Sequence, residues 1–457
     1  KMSKVFDLKY KVMTYGCQMN HSDSERLSKV LENYGYSECT DVTDADLVLF
    51  NTCSIKQRAE DKVIGQMSKV SAMKKERPNL LLGITGCMTR VTSTRVSEKK
   101  DKLFSQVKNL DLCFQIQDMT KLGGMLSELN PEFNQLEMQE AELGNYFEIQ
   151  PKYKTAFQAY IPIMTGCDKF CTYCIVPYSR GREVSRPIEE IYKEALRLVA
   201  NGCIEITLLG QNVNSYGLSW EDKKVEGKFH YDTPPFVQLM RKLDTIEGLE
   251  RVRWTSPHPQ DMTNEVIDAV YELRTQMPYI HMPLQAGNDR LLKKMNRNYD
   301  KNKFREIVDY IREKMPDCSI STDMIVGFCG ETPEEFAETC EFFEEMGFDL
   351  AFISQYSTRE GTTADMLKKD DVSREEKKLR FHALNAVLKR TSFARNKFFE
   401  GKTVQVLVEK VLDSGELSGR SEHYKEVVFE GSKDLVGKII PVKVERSLEW
   451  RLEGVMV

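Results

Sequence analysis

No apolar run in this 457-residue chain approaches the ~18 residues needed to cross a bilayer, which argues against a helical membrane span. The opening Lys1-Met2-Ser3-Lys4 lacks the apolar stretch of a secretory signal, and Lys1 ahead of Met2 reads as an added residue. A soluble, cytoplasmic protein with no membrane partner is expected. A basic excess is also missing: 65 Lys and Arg face 70 Asp and Glu, for a formal charge of −5. Nucleic-acid binding through the field of the whole molecule is thereby set aside, and any basic surface has to be local. Internal repeats and low-complexity tracts are absent too, so the length is that of ordinary folded domains, roughly 150 residues each and about three in number. The composition is 41% hydrophobic and 30% charged with a mean hydropathy of −0.45, as in a globular protein. The twelve cysteines, in a chain without an export signal, point to metal ligands, redox groups or core packing rather than structural disulfides.

From Lys9 to about Leu126 short apolar runs (Lys11–Tyr15, Ala45–Asn51, Leu80–Thr85, Leu110–Phe114) alternate with helical patterns, Ser24–Asn33 and Lys56–Lys74 among them. That alternation predicts a parallel α/β sheet. A Glu- and Gln-rich stretch over 127–152 reads as a linker. A second alternating series has strands near Phe157–Ile163, Ile204–Gly210, Arg251–Trp254, Tyr279–Leu284, Ser319–Val326 and Leu350–Gln355. Its helices are Ile188–Ala200, Phe236–Asp244, Asn264–Leu273, Lys303–Lys314 and Glu334–Glu345. Six βα units suit a partial barrel, with ligands at the strand C-terminal ends. Arg374–Lys397 reads as a basic amphipathic helix with eight Lys or Arg against two acidic residues, its apolar face formed by Leu384, Val387, Leu388 and Ala394. Beyond Gly401, the runs Thr403–Glu409, Tyr424–Phe429 and Lys438–Val444 predict a small antiparallel β-barrel. The expected division is 9–126, a linker at 127–152, 153–385 and 386–457.

Two sets of cysteines carry chemistry. Cys167, Cys171 and Cys174 form a C-x3-C-x2-C loop directly after the first strand of the second series. A structural zinc site normally takes four protein ligands, and the loop offers three. A zinc reading therefore needs His230 or Cys203 from elsewhere. Three thiolates suit a 4Fe-4S cluster that keeps one iron open to an exchangeable ligand. Cys17, Cys53 and Cys87 each follow a predicted strand of the first series. In a parallel sheet those strand ends share one edge, so three distant cysteines converge on a second site. The bland reading is three buried thiols packing as small hydrophobes. Cys39, Cys113, Cys203, Cys318, Cys329 and Cys340 show no such pattern and are assigned to packing or loops.

The C-x3-C-x2-C loop, with Tyr173 ahead of its last cysteine, resembles the radical S-adenosylmethionine superfamily. Both cysteine sets and the terminal barrel together resemble the methylthiotransferase family over nearly the whole chain, in particular the branch acting on isopentenyladenosine in tRNA. The residues that carry this likeness are Gly166-Cys-Asp-Lys-Phe-Cys-Thr-Tyr-Cys-Ile-Val-Pro-Tyr178, Arg180-Gly-Arg-Glu-Val-Ser-Arg-Pro187, Leu209-Gly-Gln-Asn-Val-Asn-Ser-Tyr-Gly217, Thr255-Ser-Pro-His-Pro259, Leu284-Gln285 and Met295-Asn-Arg297. The resemblance implies a methylthiotransferase N-terminal domain, a radical S-adenosylmethionine (βα)6 partial barrel and a TRAM barrel that helps hold RNA. It implies two [4Fe-4S] clusters, an auxiliary one on Cys17, Cys53 and Cys87 and a radical-generating one on Cys167, Cys171 and Cys174. One S-adenosylmethionine then serves as methyl donor and a second as source of the 5'-deoxyadenosyl radical. The implied partners are the tRNA anticodon stem-loop carrying isopentenyladenosine 37 and an electron donor such as flavodoxin or ferredoxin. The sulfur donor is left unspecified, and a monomer is expected.

Tyr173, Gln211, Asn212 and Gln285 are the expected S-adenosylmethionine contacts beyond the clusters, with Ile325-Val326-Gly327 against its adenine. His258, between two prolines, reads as a rigid turn. Arg180, Arg182 and Arg186 are candidates for RNA phosphates, as is the helix Arg374–Lys397. The segment Arg395–Val457 balances eleven basic against eleven acidic residues, which favours recognition of RNA shape over a strong field. Cys329 and Thr358 stand where the family pattern usually has proline. Two other functions compete: methylthiolation of another tRNA adenosine or of a ribosomal-protein aspartate, and, in a different class, non-catalytic metal-dependent RNA binding.

Overall fold

The computed structural model describes residues 8–53, 57–130, 145–219 and 231–457, which form two compact units. The first comprises Lys1–Lys154 with Thr165–Asp168 and Ile175–Val184, and the second Thr155–Met164, Lys169–Cys174 and Ser185–Val457.

The first unit is built on a six-stranded sheet in the order Ser37–Glu38, Lys9–Tyr15, Leu47–Thr52, Leu81–Gly86, Leu112–Phe114, Ser93–Thr94. All pairs are parallel except the last, an antiparallel edge strand that the apolar pattern did not predict because it is only two residues long. Leu47–Thr52 and Leu81–Gly86 are buried throughout, as strands covered on both faces must be. Their alternate side chains feed two cores. Leu47, Leu49 and Leu81 pack with Leu27, Val30 and Leu31 of the helix Gln18–Asn33. Val48, Phe50, Leu82 and Ile84 pack with Val63, Met67 and Val70 of the helix Gln57–Met73. The helix Gln18–Asn33 starts well before the predicted Ser24, because Cys17 and Asn20 close a capping box that propensity alone does not reveal. Of the expected linker, its first residues complete the helix Leu122–Leu129, while 131–144 lie outside the described residues.

In the second unit six parallel strands follow one another in chain order as two hydrogen-bonded triplets. Gln158–Pro162, Glu205–Leu209 and Arg251–Trp254 form one, and Tyr279–His281, Ser319–Val326 and Leu350–Gln355 the other. Between them runs the parallel bridge of Val252 with Gln276. Strand and sheet order agree, as in a (βα)6 partial barrel. The fourth strand stops at His281 instead of Leu284, because Pro283 has no N–H to give the ladder. Covering helices bury an i, i+3, i+4, i+7 stripe, as Ile191, Glu194, Ala195 and Leu198 of Ile188–Ala200 illustrate.

The C-terminal barrel closes in the order Thr403–Val411, Leu417–Ser421, Glu426–Phe429, Arg451–Met456, Ile439–Ser447. The pair Glu426–Phe429 with Arg451–Met456 is parallel, a departure from the expected all-antiparallel barrel. Alternate residues Val404, Val406, Val408, Val442 and Val444 fill its core. Among the described residues no helix is long and apolar enough to cross a membrane.

Candidate metal and cofactor sites

Cys17, Cys53 and Cys87 come together at the C-terminal ends of three adjacent parallel strands. The backbone staggers them: Cys53 N–H donates to Tyr15 O and Cys87 N–H to Thr52 O, both at 2.8 Å. Gly16 and Gly86 make the approach possible. A Cβ on Gly16 would stand 2.7 Å from Cys53 Cβ, and one on Gly86, at φ +93°, would stand 2.3 Å from Thr52 O. Asn20 holds the rim. Its Oδ1 accepts from Cys17 N–H at 3.2 Å and from the Cys17 thiol at 3.4 Å, and its Nδ2 donates to Asn51 Oδ1 at 3.0 Å. Asn51 Nδ2 returns bonds to Asn20 O at 2.8 Å and Ser24 Oγ at 2.9 Å.

The three thiols interact directly. Hydrogen bonds from Cys53 push the Cys17 and Cys87 pKa values down against the opposing effect of burial, and the same two bonds push Cys53 up. The Arg180 guanidinium adds its positive charge beside Cys87. Three soft sulfurs sharing one edge, two of them favoured as anions, suit iron or another thiophilic metal.

Arg180 was a candidate phosphate contact, and here the structure corrects the sequence. Its Nη2 donates to Asp23 Oδ2 at 2.6 Å, with side chains 3% and 0% exposed, and Tyr146 Oη donates to Asp23 Oδ1 at 2.6 Å. Removing one partner of so buried a pair leaves an uncompensated charge, at a cost of about 3–5 kcal/mol. Arg180→Ala is therefore expected to lower the first unfolding midpoint in urea, while Arg182→Ala, which removes a largely exposed side chain, leaves it in place. Arg186 is likewise internal, paired with Glu194 at 2.7 Å and bonded to Pro162 O at 3.2 Å. Of the three arginines only Arg182 presents an exposed side chain.

The second cysteine set is divided between the units. Cys167 belongs to the first, its N–H bonded to Gly181 O at 3.2 Å. Cys171 and Cys174 belong to the second, where Cys174 N–H donates to Cys171 O at 2.9 Å. The segment Met295-Asn-Arg297 fastens that part of the loop. Met295 O accepts from Thr172 N–H at 3.0 Å, Asn296 Nδ2 donates to Lys169 O at 3.2 Å and Phe170 O at 3.0 Å, and Arg297 Nη1 donates to Cys171 Sγ at 3.3 Å. Tyr173 packs edge-on against Phe328, with ring centroids 6.4 Å apart, and burial raises its pKa.

Beyond the strand Glu205–Leu209, Gln211 Oε1 and Asn212 Oδ1 are buried acceptors without a protein partner. Asn212 Nδ2 donates to Ser215 Oγ at 2.5 Å and Asp261 Oδ2 at 3.2 Å. Asp261 is a hub: it also pairs with Lys169 Nζ at 2.7 Å and accepts from the Ser215 hydroxyl. Gln285 is buried in a left-handed conformation, φ +74°, and bridges Met324 through main-chain bonds to Asp323 O and from Ile325 N–H. Val326 is buried, and Gly327 N–H donates to Glu331 Oε2 at 2.5 Å. His258 is more than a turn. Its Nδ1 caps Gln260 N–H at 3.2 Å, its Nε2 is buried without a partner, and burial, with help from Arg297 and Lys169, holds its pKa well below the usual value. Sequence reasoning gave no role to Lys169, Asp261 or Arg297. The first and last lie inside quoted motifs, but no local signal marks Asp261.

The helix Arg374–Lys397 forms over the predicted span, but part of its charge is spent internally. Lys377 pairs with Asp370, Arg380 with Glu331 and Glu376, Arg390 with Glu344, and Arg395 with Asp349. Leu384, Val387 and Leu388 are buried as expected, whereas Ala394 faces solvent. The remaining cysteines behave as packing residues: Cys39, Cys113, Cys203, Cys318 and Cys329 are buried, Cys340 is half-buried, and burial raises the pKa of each. For the zinc reading, Cys203 directs its thiol to Glu205 O, and His230 lies outside the described residues. Among the described residues no three or more His, Cys, Asp or Glu side chains are grouped as ligands of a single metal ion.

Comparison with known proteins divides the chain three ways. Residues 161–343 match the Radical SAM superfamily, 9–107 match a family described as uncharacterized protein family UPF0004, and 397–457 match the TRAM domain. A Bacillus velezensis protein named tRNA-2-methylthio-N(6)-dimethylallyladenosine synthase is 39% identical over 451 residues, 98% of this chain and 86% of the relative. Its namesake from Clostridium tetani is 40% identical over 446 residues, 97% of this chain and 95% of the relative. Among solved structures, a radical S-adenosylmethionine methyltransferase from Kitasatospora setae, with tryptophan substrate and a S-adenosylmethionine analogue bound, shares the fold. Its TM-score is 0.53 at 13% identity over 76% of this chain and 72% of that one.

Proposed function

The chain belongs to the tRNA-2-methylthio-N(6)-dimethylallyladenosine synthase family, and on that premise we propose that it attaches a methylthio group to carbon 2 of N6-dimethylallyladenosine (isopentenyladenosine) 37, beside the anticodon of tRNA. The observation that carries this reading is the convergence of Cys17, Cys53 and Cys87 at three neighbouring strand ends. A radical generator needs one cysteine set. A second set, built from three strand ends rather than from one loop, calls for a second reactive centre.

Cys17, Cys53 and Cys87 hold an auxiliary [4Fe-4S] cluster in this reading, and Cys167, Cys171 and Cys174 hold the radical-generating one. Bound there, the clusters and S-adenosylmethionine supply the sulfur, methyl and radical chemistry that an inert aryl C–H demands and that proton transfer by side chains cannot. The protein's own groups bind and orient. Gln211 Oε1 and Asn212 Oδ1, buried acceptors at a strand end, take hydrogen bonds from amino or hydroxyl donors of S-adenosylmethionine. Tyr173 backs the loop, and Gln285 is held at its place by the bridge to Met324.

The working division is a methylthiotransferase domain over 9–126, a linker over 127–152, the radical domain over 153–385 and the TRAM domain over 386–457. The match to TRAM supports RNA contact through the barrel, and the internal pairing of the helix Arg374–Lys397 moves weight from that helix to the barrel. A low-potential donor such as flavodoxin or ferredoxin, a cytoplasmic location and a monomeric state complete the proposal.

Two measurements test it. Anaerobic reconstitution is expected to load about eight irons per chain, and reduction with S-adenosylmethionine to release 5'-deoxyadenosine. Mass spectrometry of tRNA from a deletion strain is expected to show unmodified isopentenyladenosine in place of its methylthio form. An unchanged methylthio signal rejects the substrate, and zinc without cleavage supports the non-catalytic reading.

A further inference from the structure

Arg297 follows the helix Asp289–Lys294 by three residues, and it is buried. Its guanidinium is fixed from several sides. Nη2 donates to Pro283 O and Nε to Tyr299 Oη, each at 2.9 Å, and the Tyr299 ring lies with its centroid 5.1 Å from the guanidinium carbon. Tyr299 Oη is itself tied to Pro283 O at 3.1 Å and Leu284 O at 2.8 Å. With its other nitrogens thus engaged, Nη1 points to Cys171 Sγ at 3.3 Å.

A guanidinium is always charged, and its planar fork keeps its direction once two of its nitrogens are tied. The buried cation therefore directs one N–H at the Cys171 sulfur, the atom that would ligate the cluster. Hydrogen bonds and charge next to a ligand sulfur are among the levers by which a protein sets the potential of an iron-sulfur centre. Added positive charge favours the reduced, more negative form and so raises that potential.

We propose that Arg297 is a positioning residue for the Cys171 thiolate that fixes its orientation and raises the reduction potential of the cluster bound at Cys167, Cys171 and Cys174. This rests on the assignment of Cys171 as a cluster ligand. The idea reaches past the cysteine spacing, because Arg297 lies 126 residues from Cys171 in the chain.

The test is a potentiometric titration followed by electron paramagnetic resonance. It uses the full-length chain carrying Cys17→Ala, Cys53→Ala and Cys87→Ala together, so that the signal comes from the second cysteine set alone. Into this background go Arg297→Lys, which keeps the charge but loses the fork, and Arg297→Gln, which keeps a donor but loses the charge. The expected order of midpoints is Arg highest, Lys lower, Gln lowest. At a fixed potential Arg297→Gln should hold about a tenfold smaller ratio of reduced to oxidised cluster, equivalent to about 59 mV for a one-electron couple. Equal midpoints in all three proteins overturn the proposal. If Arg297→Gln fails to bind iron, the Lys variant decides: a lowered midpoint supports the role and an unchanged one overturns it. An Arg297 protein with no reducible cluster in this background overturns instead the ligand assignment on which the role rests.

Discussion

Cys171→Ala protein is expected to release no 5'-deoxyadenosine when reduced in the presence of S-adenosylmethionine, a fall of at least about 1,000-fold, or roughly 4 kcal/mol of lost barrier reduction. The loss is large because the set has no spare member. Three thiolates leave one iron for the exchangeable ligand, and two thiolates cannot keep a four-iron centre closed. Alanine also strips Arg297 of the sulfur to which its Nη1 points, leaving a buried donor without its acceptor. Liquid chromatography of the quenched reaction reads the nucleoside directly, and iron analysis of the same sample shows whether the auxiliary site still loads. Cleavage at the wild-type rate would sink the assignment of Cys171.

The parts of this fold that the sequence made legible are those where one physical signal ran unopposed. Arg251–Trp254, Ser319–Val326 and Leu350–Gln355 have their predicted bounds, because short apolar or β-branched runs between turn residues admit no competing period. The helix Ile188–Ala200 starts where Pro187 sets its N-cap. Two barrel strands, Leu417–Ser421 and Arg451–Met456, escaped because Gly419 and Gly454 interrupt them and Ser418, Arg420, Arg451 and Glu453 break up their apolar pattern. The cysteine sets were readable for a different reason: spacing in one and placement after strands in the other are properties of the chain itself.

What the sequence could not show is which cations are spent inside the protein. Arg180 and Asp23 lie 157 residues apart, and nothing local separates an arginine that meets phosphate from one that closes a buried pair. Basic character along the helix Arg374–Lys397 was visible, but the buried carboxylates that absorb it come from distant segments, Glu331 and Asp349 among them. Asp261, which gathers Lys169, Asn212 and Ser215, illustrates the same limit: its role exists only in three dimensions.

The Cys53→Ala protein is expected to behave differently from Cys171→Ala, and the difference tests the division of labour between the two cysteine sets. Cys53 is the middle member of its trio, on the central of the three strands, with hydrogen bonds to both Cys17 and Cys87. Alanine there removes the shared partner that favours the other two as anions, and two separated thiols are a poor four-iron site. The contacts that fasten the other loop, Gly181 O on Cys167 N–H, Asn296 on Lys169 and Phe170, and Arg297 on Cys171, do not involve Cys53 and are left intact. Release of 5'-deoxyadenosine should therefore persist within about threefold of wild type, a change of under roughly 1 kcal/mol, while methylthio product from isopentenylated tRNA falls at least about 1,000-fold. Iron per chain should drop from about eight to about four. The decisive quantity is the ratio of the two products in one anaerobic reaction. Equal loss of both would mean that the two sets act as one site, whereas cleavage without sulfur insertion assigns radical generation to the loop at Cys167, Cys171 and Cys174 and sulfur delivery to the sheet edge at Cys17, Cys53 and Cys87.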